Sequence, residues 1–333
     1  MQISNNFESL KTESNVEFNY NNWGKEYTVQ IIYPNDISNY NIPYILVLPK
    51  NMKENCILAV ESNNLETENS DDLLNNGLLT AHKLVQQLKD NDNPVLIPIV
   101  PSVKNGIPYY QQLSKECFSI PSAHPFYRID LQVLNIINEV KQNLSDKINL
   151  RDKIFLNGYS SSGVFAQRFA LLHPEIVDTL CIGGASGSIP VPILELGYPL
   201  GIADYYEITG KQFDLEVYSQ IKFRYYIGQF EDKRKTSERY DESGNFAPMH
   251  DMSYFDRSVP TPIGHKQRAM FGTNLLERSN KQIRLMKEMG MDIEQQIFEG
   301  RTHNNYNEIG INELGDEYVN HIYNQSAAEN KKL

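Results

Sequence analysis

Residues 154–163 read Ile-Phe-Leu-Asn-Gly-Tyr-Ser-Ser-Ser-Gly, and this stretch limits the fold more tightly than any other. An apolar run of strand type leads into the glycine, and residues 164–172 then carry a helical pattern. A chain passing from strand to helix in so few residues must turn sharply, which drives the residue at the apex into strained backbone. With Ser160 at the apex, the positions two before and two after it, Gly158 and Ser162, are expected to be small. Gly163, Ala166 and Ala170 follow at spacings of three and four. They give the helix a face of small side chains that can lie close against a sheet. Pro174 then stops it.

Around this unit, short apolar runs alternate with longer helical patterns. Strands are expected at 27–33, 44–48, 56–60, 94–100, 153–156, 179–183, 223–227 and 293–298, and helices at 73–88, 127–144, 163–172, 273–289 and 309–323. The first two strands have little helix between them, whereas the later ones alternate with helices. That order predicts an α/β fold: a mostly parallel central sheet of about eight strands, antiparallel at one edge, with helices on both faces. Residues 1–333 read as one domain with two lid-like insertions, 188–220 and 233–272, in which aromatic residues recur. Gly290 stands where a C-terminal helix cap is expected, after Leu285, Met286 and Met289, which read as core.

Composition narrows the function classes. A formal net charge of −11 argues against a phosphate-binding surface built from clustered Lys and Arg, so neither nucleic acid nor an anionic membrane is expected as a partner. No apolar run reaches the roughly 18 residues a membrane helix needs. The first 25 residues lack the apolar core of a signal peptide. The reading is cytoplasmic, although a secreted chain whose leader has been removed would read the same. Cys56, Cys117 and Cys181 have neither disulfide-framework nor metal-site spacing and read as buried free thiols. With no glycine-rich phosphate loop and no H-E-x-x-H, neither cofactor nor metal is expected. Oligomeric state is not readable.

A serine at such a turn is inert without a base and an acid that orients the base. Two strand ends supply candidates: Gly228-Gln229-Phe230-Glu231-Asp232 and Gly300-Arg301-Thr302-His303. In this elbow, in Gly-x-x-x-Asp after one strand and in Gly-x-x-His after the last, the chain resembles the α/β-hydrolase superfamily over roughly residues 25–325, and within it the serine esterases and depolymerase-like enzymes. The elbow departs from the usual G-x-S-x-G at Ser162, and no His-Gly-Gly-Gly motif is present.

The resemblance implies Ser160 as nucleophile, His303 as general base and Asp232 as the acid, with Glu231 the alternative acid. Of the seven histidines, only His303 comes directly after the last strand; His321 falls in the terminal helix. The resemblance also implies an oxyanion hole made by the backbone N–H of Ser161 and one from the loop after the third strand, with Asn63 first, then Asn64 or Ser62. The implied reaction is cleavage of a small-molecule carboxylic ester through an acyl-enzyme. Aromatic residues in the insertions suggest a substrate with an apolar or aromatic part. A peptidase or acyltransferase using the same three residues, and a non-catalytic binding protein on this fold, are the alternatives. His173 reads as a helix-end residue, and Asp130 as a partner for a helix dipole.

Overall fold

The structure, a computed structural model, describes residues 15–22, 25–52, 55–65, 67, 69–88, 92–102, 108–231, 258–303 and 313–328. Eleven strands alternate with eight helices among the described residues. The first half holds β1 (Val16–Asn22), β2 (Lys25–Ile32), β3 (Tyr44–Pro49), β4 (Asn55–Cys56), β5 (Ala59–Val60), α1 (Ser70–Gln87), β6 (Val95–Pro98), α2 (Ile129–Leu144) and β7 (Asn149–Leu150). The second half holds β8 (Ile154–Tyr159), α3 (Ser161–Leu172), β9 (Val177–Gly183), α4 (Tyr205–Thr209), α5 (Leu215–Ser219) and β10 (Lys222–Phe230). It closes with α6 (Thr261–Phe271), α7 (Leu275–Glu288), β11 (Ile293–Thr302) and α8 (Glu313–Ala328).

Nine strands form one sheet in the order β1-β2-β3-β6-β5-β8-β9-β10-β11. The pairs from β1 through β3 to β6 are antiparallel, and those from β6 to β11 are parallel. The mixed sheet expected from the order of elements is thus present, with one strand more than the expected eight. The run 56–60 is split: β4 pairs with β7 in a separate two-stranded sheet, and β5 enters the main one.

The core lies on both faces of the sheet, as pleating demands of strands buried on each side. In β3, Tyr44 and Leu46 join a cluster with Val133, Ile136 and Ile137 of α2 and Phe169 of α3. The alternate residues Ile45 and Val47 join one with Leu84 of α1 and Val319 and Tyr323 of α8. Gly77 sits in α1 where a Cβ would stand 2.3 Å from Ile99 Cδ1, so that helix lies tight on the sheet. Gly290, at φ +87°, follows the end of α7 as the expected cap.

Within 188–220, Ile189, Val191, Tyr198 and Leu200 are fully buried in the core. Residues 233–257 lie outside the described residues, and 258–272 supply α6. The three cysteines are buried free thiols.

Candidate active site

The strand-to-helix turn has the geometry its residues imply. Every residue of β8 is buried, and Ser160, between β8 and α3, has φ 57° and ψ −116°, one of three non-glycine residues at positive φ among the described residues. Its N–H donates to Gly183 O at 2.9 Å and its carbonyl accepts from Val164 N at 2.9 Å, so the apex is tied to both neighbouring elements. A Cβ on Gly158 would stand 2.6 Å from Ser162 O and 2.7 Å from Gly163 N and Cα, a backbone clash that restricts this position to glycine. At Gly163 a Cβ would meet Ala185 Cβ at 3.0 Å and Gly158 O at 3.2 Å. The need for small size therefore falls on 158 and 163. Position 162 instead uses a side chain: its Oγ accepts from Tyr159 N–H at 2.9 Å.

His303 and its carboxylate come from the ends of β11 and β10, which pair in parallel. Gly228 makes the approach possible. A Cβ there would stand 2.5 Å from Arg301 O, and the register shifts between Gly228 and Phe230 as the strands diverge. The chain then turns so that Glu231 N–H donates to Gly228 O at 3.1 Å and the Glu231 carboxylate accepts from Gly228 N at 3.3 Å. In this conformation Glu231 Oε1 meets His303 Nδ1 in a short contact, with both side chains buried. The carboxylate on the imidazole is therefore the alternative acid. Asp232, the first choice from sequence, lies outside the described residues.

Tyr159 ties this pair to the elbow. Its hydroxyl donates to His303 O, and its ring lies 5.3 Å from the imidazole and 6.5 Å from the Tyr226 ring. The histidine is thus packed on the residue that immediately precedes Ser160. Ser160 Oγ makes no hydrogen bond among the described residues. Contacts between a nucleophile and its base commonly tighten only when substrate is bound.

Two N–H groups near the apex suit a developing oxyanion. Ser161 opens α3, where backbone N–H groups point out of the helix and the dipole favours negative charge. The loop after β5 is tied to the elbow by Asn64 Nδ2, which donates to Tyr159 O at 2.8 Å. The Asn63 side chain is committed to the Val100 peptide, donating from Nδ2 to O at 3.1 Å and accepting from N at 2.6 Å. Its backbone N–H has no hydrogen bond among the described residues. Asn64 N–H is already given to Asn76 Oδ1 at 2.7 Å, which leaves Ser62 and Asn63 as donors from this loop.

Sequence reasoning missed two parts of the site. Gln112 donates to Ser161 Oγ at 3.2 Å, while its carbonyl accepts from Arg168 Nη1 at 2.5 Å. No pattern in 103–118 marks it. Glu61, fully buried at the end of β5, accepts from Asn157 and Ser162. A charged residue closing an apolar run was the available signal.

No family model matches the sequence, and no curated protein matches it. Solved structures do. Poly(aspartic acid) hydrolase-1 from Sphingomonas sp. KT-1 aligns with a TM-score of 0.51 at 14% identity, over 92% of this chain and 98% of its own. The chain has the α/β-hydrolase fold. Two others align at 12% identity and a TM-score of 0.48: the LpqC poly(3-hydroxybutyrate) depolymerase from Bordetella parapertussis, over 87% of this chain and 85% of its own, and an S-formylglutathione hydrolase from Agrobacterium tumefaciens, over 93% and 97%. In this α/β-hydrolase fold, Ser160, Glu231 and His303 follow β8, β10 and β11 at one end of the parallel strands, where ligands of such sheets bind.

Proposed function

We propose that the protein is a serine hydrolase that cleaves carboxylic esters. One observation carries this reading: a buried histidine–carboxylate pair, His303–Glu231, is packed through Tyr159 against a serine held at strained positive φ. Ser160 is the nucleophile. His303 removes its proton as Oγ attacks the ester carbonyl, and Glu231 holds the ring through Nδ1 and stabilises the imidazolium that forms. The tetrahedral oxyanion is received by Ser161 N–H and by Asn63 N–H, with Ser62 the alternative. The alkoxide leaves with the proton from His303, and water activated by the same imidazole then cleaves the acyl-enzyme.

The similar solved structure with a TM-score of 0.51 is named a poly(aspartic acid) hydrolase, which accords with a hydrolase reading. The test is hydrolysis of short-chain p-nitrophenyl esters by the wild-type protein and by Ser160→Ala. The wild type is expected to turn over and the variant to lose at least about 10³-fold in kcat. Equal turnover by both would refute the assignment.

A further inference from the structure

Beneath the elbow lies a second buried carboxylate, which the proposed reaction does not use. Glu61 follows β5, and the parallel register of β5 with β8, Ala59 on Phe155 and Val60 on Leu156, carries it alongside Asn157. Its Oε2 accepts from Asn157 Nδ2 at 2.6 Å, and its Oε1 lies 3.1 Å from Ser162 Oγ. The Ser162 hydroxyl also sits 2.9 Å from Tyr159 O and accepts from Tyr159 N–H, so its single proton is shared between Glu61 and the elbow backbone. Glu61 is the residue before Ser62 and Asn63, the candidate oxyanion donors, whereas Ser162 and Tyr159 flank the nucleophile.

We infer that Glu61 is a positioning residue, locking the oxyanion loop to the nucleophile elbow through the Ser162 hydroxyl. The inference rests on the serine-hydrolase reading and extends it to a residue that touches no substrate. Stability alone is a poor reason to keep this group. Burial pushes its carboxyl above the ordinary range, against the opposing charge of Lys83 and the hydrogen bonds from Asn157 and Ser162, so holding a carboxylate here costs free energy. The lock also explains why serine stands at 162, where size does not demand glycine. Both halves of an oxyanion site must be held within about half an ångström to be useful, and a shift near 1 Å can lower a rate about 100-fold.

The amide of Asn157 makes the lock testable. Its Oδ1 is buried without a hydrogen-bond partner among the described residues. In Glu61→Gln, an amide flip at Asn157 would let Oδ1 accept from the new NH2, while the Gln oxygen still accepts from Ser162. Glu61→Leu offers neither contact.

The experiment measures the rate of covalent labelling by a fluorophosphonate probe, with a thermal melt of each variant. Glu61→Leu is expected to slow labelling about 10- to 100-fold, and Glu61→Gln to stay within about fivefold of wild type. Ser162→Ala is expected to slow it at least about fivefold, and the Glu61→Leu/Ser162→Ala double variant no further than Glu61→Leu alone. Wild-type-like labelling by Glu61→Leu, or a double variant slowed by the product of the two single effects, would overturn the inference. Should Glu61→Leu fail to fold, Ser162→Ala carries the test: wild-type labelling by it refutes the lock. Absence of Ser160-dependent labelling in the wild type would instead overturn the serine-hydrolase reading itself, a result separable from either.

Discussion

Two buried histidine–carboxylate pairs stand among the described residues, and their surroundings differ. At the end of α3, His173 Nε2 lies 3.0 Å from Asp130 Oδ2, and the same carboxylate accepts from Arg128 Nε and Nη2 at 2.9 and 2.7 Å. Near the elbow, His303 Nδ1 meets Glu231, whose carboxylate also accepts from Gly228 N–H. In the first pair a guanidinium clamps the acid, and the ring is wedged near Phe169, their centroids 4.9 Å apart. No strained serine adjoins it. In the second, the carboxylate is held by the turn backbone at Gly228, and the ring faces the elbow. On the proposed serine-hydrolase reading, a histidine on a buried carboxylate is a structural pin or a catalytic base according to what lies on its far side. Burial and pairing alone do not distinguish them.

Removing each member of the elbow pair should give the largest effects. His303→Ala should lower kcat for a p-nitrophenyl ester by about 10³- to 10⁴-fold, whereas His173→Ala should leave kcat within about tenfold in whatever fraction remains folded. Equal losses in both would erase the distinction. Glu231→Gln keeps the size but not the charge that favours imidazolium, so a fall of about 10²- to 10⁴-fold is expected, with Asp232→Asn much milder. Activity lost only in Asp232→Asn would transfer the acid role to that residue.

A smaller effect should separate the pairs by stability. Burial works to raise the Asp130 carboxyl, but its hydrogen bonds to Arg128 and His173 outweigh burial and hold it at about 2. A carboxyl depressed on folding stabilises the protein above its unfolded value, and that stabilisation is lost as pH falls from about 4 to about 2. At pH 7, Asp130→Asn should thus destabilise by about 2 kcal/mol. The gap from wild type should shrink through that acid window. A denaturation series showing a constant gap would contradict the clamp.

Much of this was legible in the sequence, for identifiable reasons. The parallel core followed from apolar runs alternating with helices, and Ser160 and His303 from their positions after strands. The strand β1 was not anticipated. It lies in a polar N-terminal stretch and pairs only at the sheet edge, where one-sided pairing requires few apolar residues. The sequence reading put Asp232 before Glu231, whereas the structure sets Glu231 on the imidazole; adjacent side chains diverge, and which one reaches the ring depends on the turn at Gly228. Glu61 stayed hidden because its partners, Asn157 and Ser162, are 96 and 101 residues away and meet it only through the β5–β8 register. Position 162 read as a small residue in place of the usual glycine, while its hydroxyl works by hydrogen bonding.

The central claim, that the elbow serine is activated by the His303–Glu231 pair, is tested most directly by locating a covalent adduct. The wild-type protein is treated with a fluorophosphonate and digested, and the labelled peptide is sequenced by mass spectrometry. The adduct is expected on Ser160, with labelling strongly slowed in Glu231→Gln and His303→Ala. An adduct on Ser161 or Ser162, or labelling of Ser160 at the wild-type rate in both variants, would contradict it.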